Sequence, residues 1–274
     1  DFYNGFNLQP SARITWTPDE RKTFWAMFSG AQRTPSRVET SIHYNVAALP
    51  GVDNLPTLIS VFGNPEQRNE RLIATQAGFR KQLSDRLSFD STAFFNQYHD
   101  VSSDEPGSPG LEANPPPLHL LIPYHFANLI HGETHGIEIF ANVKLASRWT
   151  LSPGYTFLSM HLRREAASMD LTTAAKAEGG SPNQQAQLRS NVNLPWHWQW
   201  TTSAYFVGRL PAQSIASYTR LDTNLAWQAS EKISLGLVGQ DLLRNLHQEY
   251  AGPDLTVLPS LIRRSAYARL TWRF

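Results

Sequence analysis

The sequence ends in strict alternation: Leu270, Trp272 and Phe274 occupy one set of positions, and Arg269, Thr271 and Arg273 the other. Successive side chains of an extended strand point to opposite faces, so this segment presents one apolar surface and one carrying arginines. The pattern reaches back through Ala268, Ala266 and Ile262 on the apolar side, against Tyr267, Ser265 and Arg263 on the other. Two environments suit it: the half-buried strand of a soluble β-sandwich, or a strand with lipid on one face and water on the other.

Composition is compatible with both. Charged residues make up 17% of the chain and aromatics 11%, cysteine is absent, and mean hydropathy is −0.37. No run approaches the roughly 18 consecutive apolar residues of a spanning helix, so helical membrane proteins are excluded. A barrel hides its hydrophobicity because only alternate residues meet lipid. The net charge of +1 gives no reason to expect nucleic acid. Without cysteine there is no disulfide framework and no thiolate metal site. No secretory signal opens the chain, so an exported protein beginning at Asp1 is expected to be either a mature form or a cut inside a longer one.

Gln184 to Phe206 reads as a hairpin. Gln185, Gln187, Arg189, Asn191 and Asn193 form one face, and Ala186, Leu188, Ser190, Val192, Leu194 and Trp196 the other. After Pro195 to His197 the chain returns with Trp198, Trp200, Ala204 and Phe206 opposite Gln199, Thr201, Ser203 and Tyr205. Tryptophans gather at the turn, where amphipathic rings settle at a membrane interface, and Trp149 and Trp227 recur at comparable strand ends. A sandwich more often keeps its aromatics mid-strand.

The same test predicts about eleven strands, near residues 10–17, 23–32, 69–82, 86–101, 134–146, 149–162, 184–195, 198–209, 217–228, 232–243 and 261–274. Their connections alternate. Thr17 to Lys22, Leu83 to Asp85, Ala146 to Arg148, Pro195 to His197 and Ala229 to Glu231 are short turns. Arg33 to Arg68, Ser102 to Glu133, Arg163 to Asn183, Leu210 to Ala216 and Arg244 to Ser260 are loops, mostly long. Minimal turns on one rim and long loops on the other is the arrangement of an outer-membrane barrel, with the turns periplasmic. The count places Phe274 on the short-turn rim. No low-complexity linker divides the chain.

Several segments resemble the barrel of TonB-dependent outer-membrane receptors. They are TFWAMFSGAQRTPSRVE at Thr23 to Glu39 and FGNPEQRNERLIATQAGFRKQL at Phe62 to Leu83, with Arg33, Thr34, Pro35, Asn64, Pro65, Glu70, Gly78, Phe79 and Arg80 as matching positions. FFNQYHD at Phe94 to Asp100, HGIEIF at His135 to Phe140, WTLSPGYTF at Trp149 to Phe157, Asn224 to Trp227 and Gln240 to Tyr250 follow in order. The terminal Phe274 resembles the signal by which Gram-negative bacteria insert outer-membrane barrels. The resemblance implies an all-β, antiparallel up-and-down barrel of about 22 strands around an N-terminal plug. With about eleven strands and no plug-like segment, the chain is expected to be the C-terminal half of such a barrel over residues 1–274. Its partners would be the N-terminal half, outer-membrane lipid, TonB acting through the plug, and a scarce ligand, most often a ferric siderophore. No cofactor is implied. Asn64 and Arg33 to Pro35 read as structural points where strand passes into loop.

Candidate ligand-contacting residues are Tyr44, Tyr124, His125, Phe126 and His131, which offer stacking and hydrogen bonding on the long loops, with Arg163, Arg164 and Arg244 to attract an anion. His119, His125, His131 and His135 are close in sequence but match no metal-ligand spacing. Arg189, Arg220, Asp222, Glu138, Lys144, Arg269 and Arg273 read as lumen charges. Two other classes remain: a self-contained porin or adhesin of about twelve strands with an extra strand in Asp1 to Leu8, and a membrane-embedded hydrolase using Ser159 and His161. The hydrolase lacks an orienting group for His161 and a Gly-X-Ser-X-Gly motif.

Overall fold

The computed structural model describes residues 6–51, 55–251 and 258–274. In chain order the elements are β1 (Ser11–Asp19), β2 (Lys22–Arg33), α1 (Arg37–Ser41), β3 (His43–Leu49), β4 (Thr57–Phe62), β5 (Glu70–Ser84), β6 (Leu87–Pro106), β7 (Gly110–Glu112) and β8 (His119–Ala146). They continue as β9 (Trp149–Arg164), α2 (Thr173–Gly179), β10 (Gln184–Leu194), β11 (Trp198–Val207), β12 (Tyr218–Gln228), β13 (Ile233–Gln240), β14 (Leu246–Tyr250), β15 (Ser260–Arg263) and β16 (Ser265–Trp272). Eleven strands form one meander, β1-β2-β5-β6-β8-β9-β10-β11-β12-β13-β16, each antiparallel to the next. These are the eleven predicted from alternation. The possible extra strand in Asp1 to Leu8 falls largely outside the described residues.

Directly opposed residues share a face, so register separates the two surfaces. On one, Trp16 opposes Phe24 and Phe24 opposes Phe79, with ring centroids 5.3 and 4.8 Å apart. Trp149 opposes Val192, Val192 opposes Trp200, and Trp198 opposes Trp227. Leu235 opposes Trp227 and Leu270, which completes an apolar surface from first strand to last. The other face is polar. It carries Arg80 on Asp90 at 2.6 Å and Arg220 on Asp222 at 2.9 Å, and register places Glu138, Lys144, Arg189 and Arg269 there too. This sorting is that of a barrel wall, lipid outside and water within.

Gly78 is required by close approach. The Trp25 ring lies across Gly78 on the polar face, and a Cβ there would sit 2.1 Å from Trp25 Cε2. At the short rim, Trp196 and His197 both adopt positive φ, 58° and 64°, and form the left-handed two-residue turn that matches strand twist.

A tilted strand crosses the hydrocarbon in about 9–11 residues. Counted from Trp149, Leu87 and Leu145 at the short rim, the far boundary falls at Phe157 to Ser159 on β9, Phe95 to Gln97 on β6, and Ile137 to His135 on β8. Much structure lies beyond it, and here the sequence-based expectations need correction. Ser102 to Glu133 is largely strand, since β6 runs to Pro106 and β8 begins at His119. Alternation fails in this stretch because, beyond the hydrocarbon, neither face of β8 meets lipid; there it pairs with β4 on one edge and with β6 and β7 on the other. Arg33 to Arg68 likewise holds α1 and the β3-β4 hairpin. The expected terminal strand 261–274 divides in two: β13 stops at Gln240, opposite Ser265, so Leu261 to Arg263 pair instead with Leu246 to Gln248 as a separate ribbon.

The face assignment is open to a direct test. Leu188, on the lipid face opposite Pro153 and Ala204, should cost about 2–4 kcal/mol of folding stability when changed to Arg if it lies near mid-bilayer. Gln187→Arg, on the polar face, should cost much less. Folding yields into liposomes measure the difference, and equal yields would reverse the faces.

Candidate ligand-binding surface

Arg33 closes the long-loop end of β2. Its guanidinium spans two carboxylates, Glu70 at 2.5 Å and Glu39 at 2.6 Å. Glu39 is also the third residue of a capping box on α1: its carboxylate accepts from Ser36 N at 2.7 Å while Ser36 Oγ accepts from Glu39 N at 3.3 Å. Burial alone would raise the Glu39 carboxyl, but bonds from Arg33 and Ser36 outweigh it and hold it below the ordinary carboxylate range.

The segment Asn64 to Asn69 has no strand ladder, and side-chain amides satisfy its surroundings. Asn64 Nδ2 donates to Phe126 O, and Gln67 Nε2 donates to Ser102 Oγ and Ala127 O. Asn128 Oδ1 accepts from Arg68 N at 2.7 Å, while its Nδ2 donates to Asp100 O at 2.6 Å and Arg68 O at 3.2 Å. Gln67 and Asn128 are buried. They tie the returning loop to β6 and β8, which agrees with reading Asn64 and Arg33 as structural.

This base carries a small mixed sheet, with β3 antiparallel to β4 and β4 parallel to β8. Tyr44 opposes Val61, which aligns with Tyr124, so these three share one face; Phe126, two residues on, joins them. On the other face His43, Phe62 and His125 stack in sequence, with ring centroids 4.3 and 5.3 Å apart. Of the five predicted contact residues, Tyr44, Tyr124 and Phe126 therefore come together, His125 points away from them, and His131 stands lower on β8. His131 lines a separate cavity of about 420 Å³ with His99, Glu133, His161 and Arg163. Arg164 Nη1 is engaged by Ser168 O at 2.5 Å, and Arg244 is exposed in the connection before β14.

A second latch joins β6 to the loop after β9. Glu105 accepts from Ser168 Oγ at 2.7 Å and Met169 N at 2.6 Å. Asp170 accepts from Asp104 N at 2.9 Å, Thr172 N at 2.8 Å and Thr173 N at 3.0 Å. Burial works against the Asp170 anion, but these donors win and lower its pKa to about 2. Asp104 moves up, through burial first and the Asp170 charge second. A third cluster holds β14: His247 lies between Asp241 at 2.7 Å and Glu249 at 2.9 Å.

No group of three or more His, Asp or Glu among the described residues is placed to hold a metal. Ser159 Oγ lies 3.4 Å from His161 Nδ1, the His135 ring stacks on His161 at 6.0 Å, and Glu133 stands opposite His161 in the ladder. Sequence reasoning missed Gln67, Asn128, His43 and Phe62. Ser36-X-X-Glu39 was a legible signal for α1; a lone Asn or Gln in a loop carries none.

A family model described as TonB dependent receptor-like, beta-barrel, matches residues 1–242. The chain belongs to that family. It is an outer-membrane β-barrel protein, and the apolar face described above is its lipid face. A point mutant of the ferric enterobactin receptor PfeA from Pseudomonas aeruginosa superposes with a TM-score of 0.69 at 16% identity, covering 98% of this chain and 40% of that one. The siderophore receptor PirA from Acinetobacter baumannii gives 0.68 at 15%, covering 98% and 41%. The copper transporter OprC gives 0.66 at 12%, covering 96% and 39%. At such identities the likeness is one of fold. The chain spans about two fifths of the length of these structures. No curated protein matches it.

Two outcomes follow from the latches. Asn128→Ala strips Arg68 N and two carbonyls of their partner and should cost about 1–3 kcal/mol of local stability, read as faster tryptic cleavage after Arg68. The Asp170 carboxyl is depressed below its ordinary 3.8, so its contribution is present in full above that value and is lost as pH falls through about 2. Amide protection across 165–175, taken relative to the intrinsic exchange rate at each pH, should stay high at pH 5 and fall toward pH 2, and Asp170→Asn should be weakly protected throughout.

Proposed function

We propose that this chain is the C-terminal portion of the barrel of a receptor that captures a scarce, bulky ligand on its extracellular side and imports it with energy supplied by TonB. A ferric siderophore is the ligand class we favour. The observation that carries this reading is the mixed sheet standing above the membrane boundary, whose β3, β4 and β8 gather Tyr44, Tyr124 and Phe126 on one face. Tyr44 is half exposed. Three aromatic groups on a braced surface suit a large aromatic chelate, which is held by area and stacking more than by charge. Neighbours described as ferric enterobactin and siderophore receptors support an iron chelate, and the copper transporter among them marks how far cargo varies on one scaffold. The plug, the remaining strands and the TonB contact belong to the rest of such a receptor. Transport, not catalysis, is the activity proposed.

In the full-length protein, the double change Tyr44→Ala and Tyr124→Ala should weaken binding of ferric enterobactin or the chelate it prefers about tenfold, roughly 1.4 kcal/mol. Heat-modifiable mobility should be retained, because both residues lie outside the membrane ladder. Removing residues 107–118, which include only β7, should likewise leave the barrel assembled and lower uptake. Unchanged affinity and transport in folded protein would move recognition away from this sheet.

A further inference from the structure

Along the lumen face many polar side chains are satisfied by one another. Arg80 holds Asp90, Arg220 holds Asp222, Ser152 Oγ donates to Asn142 and Thr201 Oγ1 donates to Asn191. Two neighbouring rows just inside the outer boundary depart from this. Register sets Glu138, Thr156 and Gln185 in the upper row, and Asp90, Phe140, Gly154 and Gln187 in the lower. Among the described residues Glu138, Thr156, Gln185 and Gln187 have no side-chain hydrogen-bond or ion-pair partner. They border a cavity of about 410 Å³, within the size range of small-molecule sites. Its floor is aromatic. The Phe140 ring and the Gln187 side chain both lean over Gly154, where a Cβ would lie 3.2 Å from Phe140 Cδ2 and 2.9 Å from Gln187 Cγ. The ring thus lies across the neighbouring strand, and Phe140 stays 37% exposed, with the face away from the wall turned to the lumen.

We propose that this cavity binds a pyranose ring carried by the imported molecule. A pyranose presents a face of C–H groups that stacks on an aromatic ring, and an edge of hydroxyls that both donate and accept. Phe140 supplies the stacking face. The Glu138 carboxylate accepts, the Gln185 and Gln187 amides donate and accept, and the Thr156 hydroxyl does both. A simple cation has no use for the amides, and an apolar group would cover four polar side chains without replacing their hydrogen bonds to water. Asp90 adds little charge of its own, because Arg80 already holds it at 2.6 Å. This site rests on the import role proposed above and narrows the cargo to one that carries sugar. Tyr124 stands about 45 Å further out along β8, so the cavity is met only after cargo leaves that aromatic surface.

The test is saturation-transfer NMR on the full-length receptor in detergent, with the methyl glycosides of glucose, galactose and mannose as probes. At least one should bind, with transfer concentrated on the ring protons of a single pyranose face, as stacking requires. Phe140→Ala should weaken that binding about tenfold and Glu138→Gln several-fold, the milder change keeping the test decisive if the ring variant folds poorly. Asn193→Ala, on the lumen face near the short rim, should change nothing. Ferric enterobactin and its C-glucosylated form share one iron centre and identify the source. Tighter binding of the glucosylated form places the sugar on a chelate. Glycoside binding with neither chelate bound makes a free saccharide the cargo, which defeats the iron-chelate reading and leaves this site standing. No transfer to any glycoside, transfer spread evenly over the sugar, or equal loss in Asn193→Ala would each overturn the proposal. So would a Phe140→Ala receptor with lowered Tm and undiminished glycoside binding, the mark of a ring that packs against the plug.

Discussion

A backbone N–H or C=O left unpaired in lipid costs several kcal/mol, and this requirement governs the wall of the molecule. The ladder holds its register through the lipid band, although the β8-β9 pairing lapses between Phe140–Gly154 and Val143–Leu151, around Pro153, which has no N–H to donate. Its register shifts fall at Trp16 to Asp19, Gln82 to Ser84 and Lys144 to Ala146 on the short rim, and between Tyr98 and Ser103 beyond the far boundary. Water reaches both levels, so a skipped bond there is cheaply replaced. Bulges are therefore excluded from the band in which nothing else could substitute for strand pairing.

Above the membrane the same accounting is met by different means. The chain reverses, changes partners and runs parallel for one pair of strands, which leaves backbone groups that no regular ladder can serve. Buried Gln67, Asn128 and Ser103 fill these gaps, each having donor and acceptor capacity in a short side chain. Ion pairs act at the edges of this region: Arg33 bridges two carboxylates at its base, and Arg68 and Arg71 converge on Asp100. The result is a braced extracellular sheet in place of a set of independent loops.

What could be read from residues alone followed from how each region is solvated. Strands with lipid on one side and water on the other must alternate, so all eleven wall strands and the partition of Leu188 from Gln187 were legible. Above the membrane neither face of β8 meets lipid, so the segment HLLIPYHFANLI has no reason to alternate and reads as loop from sequence. Once this segment is known to be strand, alternation separates His125 from Tyr124, and pairing across β4 brings Tyr124 to Tyr44. The weak strand at Leu261 to Arg263 fits the terminal alternation and still belongs elsewhere, because its expected neighbour had already ended. Amide side chains that close off the loop base leave no mark in sequence beyond being polar.

The 28-residue length of β8 has a mechanical meaning. At about 3.3 Å per residue it is a single strand of roughly 90 Å, paired to neighbours along nearly all of it. Tyr124 and Phe126 thus stand on the same uninterrupted element that crosses the membrane and ends at the opposite rim. A group mounted in that way cannot swing independently of the wall. Tyr44, by contrast, reaches β8 only through the six-residue strand β4. Of the two sides of the aromatic surface, one is a fixed post, and any gripping movement must come from the hairpin that leans on it.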